Sequence, residues 1–337
     1  MSPQMRTRFQ TFRKNRLGFS CFCVFILIFF LCLFAEFIAN DKPILVKYDQ
    51  DYYVPVLKAY PETTFGGVFE TEADYKDPAV QSMIDADGWM LWPMIRFSYQ
   101  TPNLELAVPV PSPPSQQNWL GTDDQGRDVL ARILYGLRIS MLFGVLLTVS
   151  ASIIGMIVGA IQGYYGGWVD LLGQRIMEVW GGLPSLFLLM ILVSIFSPNV
   201  YWLFISMLLF GWPSLVSMVR AEFLRARHMD YVRAARALGT RDSMIMFRHI
   251  LPNAISSSLS QLPLMLMANI TALTALDFLG YGLSPEAASL GELILQGKNN
   301  LDAPWLAMAG FVTLALVLSL LIYIGEAARD AFDPTHS

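Results

Sequence analysis

Long apolar runs separated by polar segments dominate this sequence. Six of the runs are long enough for helices that cross a bilayer, which takes about 20 residues. They occupy residues 17–39, 139–161, 176–196, 200–219, 255–279 and 305–324. Because lipid offers no water to hydrogen-bond the backbone, each run is expected to be helical. The pattern predicts an all-α polytopic membrane protein with six transmembrane helices.

Composition supports a membrane protein. Apolar residues make up 54% of the 337 residues, charged residues make up 15%, and the mean hydropathy is +0.46. Soluble domains carry nearer to a quarter charged residues. The net charge of −4 argues against a basic nucleic-acid-binding protein, so no nucleic-acid partner is expected.

The three cysteines, Cys21, Cys23 and Cys32, all lie in the first apolar run. Cys21 and Cys23 project to different sides of a helix, and no second Cys or His pair accompanies them. We interpret the three as lipid-facing side chains without a metal-binding or redox role.

The first run has two interpretations, a cleaved signal peptide or a permanent anchor. It is longer than the apolar region of a signal peptide, and Glu36 and Asn40 at its end do not form a small-residue cleavage site. We therefore predict a membrane anchor.

The placement of charge predicts the orientation. Five basic residues and no acid precede the first run, and residues 220–254 are rich in arginine. Basic segments remain in the cytoplasm, and an even number of crossings puts both termini there. The predicted parts are a cytoplasmic tail (1–16), a first transmembrane helix (17–39), an outward segment (40–137), a five-helix core (138–325) and a cytoplasmic tail (326–337).

The outward segment is rich in Pro, Tyr, Trp and acidic residues. It is too long for a turn and too aromatic for disorder, so we expect a small folded subdomain outside the membrane. The sequence leaves open whether this subdomain consists of strands or helices.

Small residues recur every three or four positions along the second run. They are Ser140, Gly144, Thr148, Ser152, Gly155, Gly159 and Gly163. Such spacing lets another helix approach closely. We interpret the stripe as a helix-packing surface and not as a ligand site.

Residues 230–239 have the pattern of a short amphipathic helix. Tyr231, Ala234, Ala235 and Leu238 fall at i, i+3, i+4 and i+7 on one apolar face, and Gly239 is suited to end the helix in a left-handed conformation. Such a helix could rest on lipid headgroups or lie in the groove of another protein. Its face is small and rich in alanine, a poor membrane anchor, so we favour a protein partner.

The same segment resembles the coupling loop of ABC importer permeases, in which Glu-Ala-Ala is followed by a Gly and then by Leu-Pro. The residues of this coupling loop, 220–254, that we expect to matter are Asp230, Tyr231, Arg233, Ala234, Ala235, Leu238, Gly239, Leu251 and Pro252. Arg233 stands at the usual Glu position. This departure removes the ion pair that such a Glu would make with an ATPase, but not the docking itself.

A second motif precedes the second run and contains Gly121, Thr122, Asp123, Gly126, Arg127 and Asp128. It resembles the corresponding segment of the dipeptide/oligopeptide/nickel permeases, in particular the C-type partner of their B/C pair. Residues 163–167 with Asp170, residues 276–280 and residues 329–334 resemble the same group. The outward segment and residues 297–300 are most similar to the Yej-type permeases, which are associated with oligopeptide and microcin C uptake.

The resemblance implies a type I ABC importer permease fold in a bacterial inner membrane, with the outward segment in the periplasm. It implies four associations: the lipid bilayer, a second permease of the B type, ATPase subunits and a periplasmic substrate-binding protein. The implied cargo is a peptide, either an oligopeptide or microcin-like. No cofactor is expected in this chain, because ATP and Mg²⁺ would bind to the ATPase. The chain is therefore expected to be a transport subunit and not an enzyme.

Other sites and other classes of protein fit less well. Residues 121–128 have the glycine spacing of a phosphate loop, but Arg127 and Asp128 replace the required Lys and Ser/Thr. His228 and His249 lack a suitably spaced acid or Cys for a metal. A secondary transporter would need acids or amides within broken helices at mid-membrane, where Asn269 is the main candidate. An intramembrane enzyme would need a paired acid and base, or a metal group, at that depth.

Asp277 lies far along the fifth run. At about 1.5 Å of rise per residue it is expected near the outer interface and not at mid-membrane. We favour a structural role, such as capping a loop, over a proton relay.

Overall fold

The computed structural model describes residues 3–106, 108–195 and 199–332. Phe196 at the end of the third predicted run, Asp333 and Pro334 in the last motif, and the ends of both predicted tails lie outside the described residues.

Helices make up most of the described chain. In order they are α1 (Pro3–Lys14), α2 (Arg16–Leu33), α3 (Ala35–Ile38), α4 (Pro78–Asp87), α5 (Val129–Tyr165), α6 (Gly167–Gly181), α7 (Ser185–Ile195), α8 (Val200–Gly211), α9 (Pro213–Ala226), α10 (Asp230–Ala237), α11 (Asp242–Met244), α12 (Leu251–Ser258), α13 (Leu262–Phe278), α14 (Leu290–Asn299) and α15 (Pro304–Phe332). Three strands, β1 (Leu45–Tyr48), β2 (Asp51–Tyr53) and β3 (Gly88–Leu91), lie between α3 and α5. Single 3₁₀ turns lie at Glu62–Phe65 and Leu259–Gln261, and a π-helical turn lies at Ile245–Ile250.

Five helical spans of the described chain are long and apolar enough to cross a membrane, or six if one bent pair counts as a span. The five are Arg16–Leu33, Val129–Tyr165, Val200–Ala226, Asp242–Phe278 and Pro304–Phe332. Most of them extend beyond the predicted apolar runs by several residues. The prediction of an all-α polytopic membrane protein is confirmed.

The third predicted crossing is not one continuous helix, as the sequence had suggested. It consists of α6 and α7, which meet at an angle of 76°. The bend follows from the residues at the break, Gly181, Gly182 and Pro184. Proline has no N–H for the helical ladder and disfavours helical geometry in the residue before it, while glycine resists the bend least.

The cysteines differ from the prediction in one respect. Cys23 is exposed, but Cys21 and Cys32 are buried within the chain. The interpretation of all three as lipid-facing side chains is therefore wrong for Cys21 and Cys32, which pack against other parts of the protein. All three are free thiols.

The chain divides into two units. We call them the insertion unit, which comprises Ile28–Ile139 and Pro285–Leu314, and the core unit, which includes Ser140–Ser284 together with segments near both termini. The insertion unit thus contains the outward segment, residues 40–137, that the sequence predicts.

The insertion unit contains both strands and a helix, which answers the question that the sequence left open. Its antiparallel sheet has the order β2-β1-β3. Asp49 and Gln50 form the two-residue turn between β1 and β2, and both have positive φ, as the tightest hairpins require. Helix α4 begins with Asp77 as its N-cap and Pro78 in its first turn. Buried apolar residues join these elements: Val46, Phe65, Ala73, Tyr75, Val80 and Ile84.

In the core unit, the glycine stripe of α5 faces two other helices. Gly144 faces Leu266 and Ile270 of α13. At the other three positions an added Cβ would lie 2.7, 2.7 and 2.5 Å from backbone carbonyl oxygens, those of Trp212 (for Gly155), Val216 (for Gly159) and Arg220 (for Gly163). The glycines recur every four residues along α5, and the carbonyl groups that they face recur every four residues along α9. The two helices therefore pack nearly backbone to backbone.

Candidate functional site

Helix α10 is the short amphipathic helix expected from the sequence. It ends at Ala237, and Gly239, two residues further on, has φ +78°. The Gly239 N–H donates to the Arg236 carbonyl at 3.0 Å, and the Thr240 N–H donates to the Ala235 carbonyl at 3.1 Å. These bonds form a glycine-terminated helix cap that satisfies the last carbonyls. The chain is then free to reverse and begin α11 at Asp242.

The apolar residues of α10 are divided between two faces. Val232 is fully buried, Ala235 is 8% exposed, and both belong to the core unit's main apolar cluster. That cluster also contains Phe223 and Ala226 of α9 and Ile250. The inner face of α10 is therefore anchored to its own chain.

The outer face of α10 has no such cover. Leu238 is 86% exposed and Tyr231 is 43% exposed, and Ala234 is exposed between them. The sequence had placed Ala235 on the same docking face as these three residues. That assignment is wrong, because Ala235 follows Val232 by three positions and turns inward with it.

The charged residues of α10 are also exposed. The Arg233 and Asp230 side chains are 67% and 102% exposed, and their nearest charged atoms are 4.0 Å apart. A pair at this distance in solvent contributes little to stability. Arg233 therefore remains available to a partner.

Leu251 and Pro252 begin α12, directly after the π-helical turn at Ile245–Ile250. Leu251 packs against the main apolar cluster, and Pro252 is exposed. The missing N–H of Pro252 interrupts the regular helical hydrogen-bond ladder at this point, which accounts for the wider turn before it.

Two residues of the predicted 163–170 motif lie where α6 contacts α9. Asp170 accepts hydrogen bonds from the Arg220 guanidinium, one of them at 2.7 Å and the other from Nε. Gly166 has φ +62°, and a Cβ there would lie 2.0 Å from Nη1 of Arg227. The sequence motif thus supplies one ion pair and one position where only glycine fits.

The 121–128 motif is a buried polar network in the insertion unit. Asp123 is fully buried and accepts hydrogen bonds from the Gln125 and Arg127 N–H groups at 2.9 and 2.8 Å, and from Arg127 Nε at 2.6 Å. Asp128 accepts from the Ala131 N–H at 2.8 Å and so caps the start of α5. Burial raises the pKa of Asp128, although these bonds favour its charged form.

The remaining residues of the motif shape the same turn. Gly121 and Gly126 have φ of +76° and +79°, where a side chain would be strained. The Thr122 hydroxyl accepts a hydrogen bond from the Ser112 N–H at 2.9 Å. Since Asp123 pairs with Arg127 and Asp128 caps α5, the motif has the structure of a folded turn and not of a phosphate loop.

Arg132 and Glu292 complete this network. The sequence did not predict a role for either residue. Arg132 is fully buried and forms an ion pair with Glu292, and its Nη groups donate to the Tyr99 and Ala287 carbonyls at 3.2 and 3.0 Å. Burial raises the pKa of Glu292, and Arg132 and Arg127 oppose that rise. Glu292 lies three residues after Ser289, the N-cap of α14, and its carboxylate accepts hydrogen bonds from both Arg127 and Arg132.

Asp277 closes a loop, as the sequence predicted. Its Oδ1 accepts a hydrogen bond from the Leu283 N–H at 2.7 Å. His228 accepts a hydrogen bond from Arg227 Nε at 3.0 Å. Within the described ranges, no three His, Cys, Asp or Glu side chains are grouped to hold a metal ion.

Comparisons with known proteins identify the family of this chain. The family model "Binding-protein-dependent transport system inner membrane component" matches residues 151–336, and "N-terminal TM domain of oligopeptide transport permease C" matches residues 4–58. The inner membrane ABC transporter permease protein YejE of Escherichia coli strain K12 is 55% identical over 99% of this chain and 98% of that protein. The peptidoglycan transport system permease protein YejE of Agrobacterium fabrum is 51% identical over 99% of this chain and 93% of that protein.

Two further matches have lower sequence identity. The oligopeptide transport system permease protein OppC of Bacillus subtilis is 34% identical over 71% of this chain and 78% of that protein. A solved structure of the MetNI methionine ABC transporter matches 61% of this chain and 96% of its own at 17% identity, with a TM-score of 0.49. The family predicted from the two sequence motifs is confirmed by the family models and the curated relatives. This chain belongs to the binding-protein-dependent ABC transporter permeases, and it is a multi-pass transport subunit of the inner membrane and not an enzyme.

Proposed function

We propose that this permease carries peptides, forming the translocation pathway together with a second permease of the B type. The support comes from the relatives, two of which are named as oligopeptide and peptidoglycan transport permeases. A microcin-like or cell-wall-derived peptide falls within the same class. A periplasmic binding protein would deliver the cargo.

The outer face of α10 is the surface proposed to dock the ATPase. The observation that carries this proposal is the exposure of Leu238 and Tyr231 on a helix whose other face is firmly packed. A buried inner face gives the helix a fixed position, and an uncovered apolar outer face gives a partner something to bind. ATP and Mg²⁺ would bind to that partner and not to this chain.

The mechanism follows from the anchoring of α10. Val232 and Ala235 share one apolar cluster with α9, and α9 packs closely on α5. Close packing transmits a rigid-body displacement, because a close-packed interior is hardly compressible. Movement of the ATPase would push α10, and the attached helices would then convert that push into alternating access.

Transport and assembly with the ATPase test the docking proposal together. We expect Leu238→Asp to lower both the yield of co-purified ATPase and ATP-driven peptide uptake about tenfold or more, since a charge would enter an apolar contact. Leu57→Asp is the matched control, because Leu57 is 73% exposed and lies in the insertion unit. Normal uptake and normal ATPase yield with Leu238→Asp would refute the docking surface.

Substrate class is tested in cells. A strain that lacks this permease should resist toxic peptide analogues and lose growth on peptide mixtures, and the gene should restore both. Unchanged sensitivity together with a loss of nickel uptake would refute the peptide assignment.

The proposed orientation puts both termini and α10 in the cytoplasm and the outward segment in the periplasm. Cysteines placed at Glu72 and at Arg236 of a chain without native cysteines test it. An impermeant thiol reagent applied to intact spheroplasts should label position 72 and leave position 236 unlabelled until the membrane is opened. Labelling of position 236 from outside would overturn the orientation.

A further inference from the structure

A second kind of contact holds the docking loop, which we define as residues 230–244 from the start of α10 to the end of α11, and it comes from the last turn of α5. Tyr164 is 4% exposed, whereas its neighbour Tyr165 is 54% exposed. The Tyr164 hydroxyl donates a hydrogen bond to Oδ1 of Asp242. It also accepts a hydrogen bond from Nη2 of Arg236 at 3.1 Å. The same guanidinium lies over the Tyr164 ring, 5.5 Å from its centroid.

The two partners of Tyr164 lie on either side of the turn at Gly239. Arg236 is in the last turn of α10, and Asp242 is the first residue of α11. One hydroxyl therefore holds both arms of the docking loop, using its hydrogen to one side and a lone pair to the other. Both bonds involve a charged partner, which makes them stronger than bonds between neutral groups.

This polar contact differs in kind from the apolar packing of α10. Val232 and Ala235 fix the position of α10 by apolar packing, and the hydrophobic effect itself has no preferred direction. Hydrogen bonds weaken steeply when their angle changes. The two bonds of Tyr164 therefore add a directional restraint on the orientation of α10 about its own axis.

We propose that Tyr164 is the positioning residue that couples the docking loop to α5. It fixes the angle at which α10 presents its outer face, and it passes displacement of the loop to α5 and to the α9 helix packed against it. The proposal rests on the proposed function of α10 as the ATPase-docking helix. It concerns the efficiency of coupling and not the docking itself.

The matched variants are Tyr164→Phe and Tyr165→Phe, because the same hydroxyl is removed from adjacent tyrosines. Phenylalanine keeps the packing of the ring and its cation–π contact with the Arg236 guanidinium, and it loses only the two hydrogen bonds of the hydroxyl. With Tyr164→Phe we expect co-purified ATPase at the normal yield, and peptide uptake per ATP hydrolysed lowered about threefold to tenfold, in keeping with the loss of bonds to charged groups. Tyr165→Phe should match the unmodified chain in both measurements.

A double-mutant cycle separates positioning from general weakening. Asp242→Asn, which leaves a weaker acceptor, should lower the uptake per ATP in the same way, and the combination with Tyr164→Phe should be no worse than Tyr164→Phe alone. Fully additive losses, or normal coupling with Tyr164→Phe, would overturn the proposal while leaving the docking surface intact. Loss of ATPase yield with Tyr164→Phe would also overturn it, because Tyr164 would then support binding. Failure of the unmodified chain to co-purify the ATPase would instead refute the proposed function of α10.

Discussion

The 121–128 motif and the docking loop are built from the same residue types and use them in opposite ways. In the insertion unit, Asp123 and Arg132 are fully buried and their charges are met by other groups of the same chain. In the docking loop, Asp230 and Arg233 extend into solvent beside an exposed leucine. The buried arrangement stabilises the fold, and the exposed arrangement leaves charged and apolar side chains available for binding another protein. Burial, and not the identity of the charged residues, distinguishes the two.

The largest effect is expected from the buried network. Arg132→Met removes the fully buried partner of the Glu292 carboxylate, whose side chain is only 17% exposed, and breaking a buried ion pair typically costs about 3–5 kcal/mol. We expect loss of the folded insertion unit, measured as a lower accumulation of the permease and a lower midpoint of thermal unfolding in detergent.

A matched surface pair gives the control for this prediction. Lys42 and Glu72 form an ion pair in the same unit, but their side chains are 34% and 42% exposed. Lys42→Met should therefore change the free energy of unfolding by no more than about 1 kcal/mol. Equal effects of Arg132→Met and Lys42→Met would contradict the distinction between a buried and an exposed network.

Neighbouring alanines of α10 test the same distinction within one helix. Ala235 faces the apolar cluster and Ala234 is exposed. Ala235→Glu should destabilise the permease itself by about 2–3 kcal/mol, because an unpaired polar group enters an apolar cluster. Ala234→Glu should leave thermal unfolding unchanged and lower the yield of co-purified ATPase. The docking face would have to be redrawn if the two variants exchanged these effects.

The sequence was sufficient for the helices and for the family, and the reasons are local. An apolar run long enough to cross a membrane is stable there only as a helix. Glycine also carries local information: Gly239 indicates the end of a helix, and the glycines of α5 indicate a close contact with another helix. Gly181, Gly182 and Pro184 also indicate the bend between α6 and α7. The prediction missed it because the whole segment is apolar and long enough for a single crossing.

The contacts between distant segments were not predictable in the same way. Glu292 is 160 positions from Arg132 in the chain, and Tyr164 is 78 positions from Asp242. No spacing rule connects such residues, because only the packed helices bring them together. The inward turn of Ala235 was missed for a related reason. A helical pattern shows that an apolar face exists, but it does not show whether the protein itself or a partner covers that face.

The smallest effect is expected at Arg233, the position that departs from the family's usual Glu. Its side chain is 67% exposed and only loosely paired with Asp230, so a partner contact there would be a surface ion pair. Arg233→Glu should weaken assembly with the ATPase by at most about 1 kcal/mol, roughly fivefold in the dissociation constant, and the difference should fade at high salt. Lys58→Glu makes the same change of charge on the insertion unit and should leave assembly unaltered. If Arg233→Glu assembles as well as the unmodified chain at low salt, the ATPase makes no specific charge contact here, and the docking of α10 rests on its apolar outer face alone.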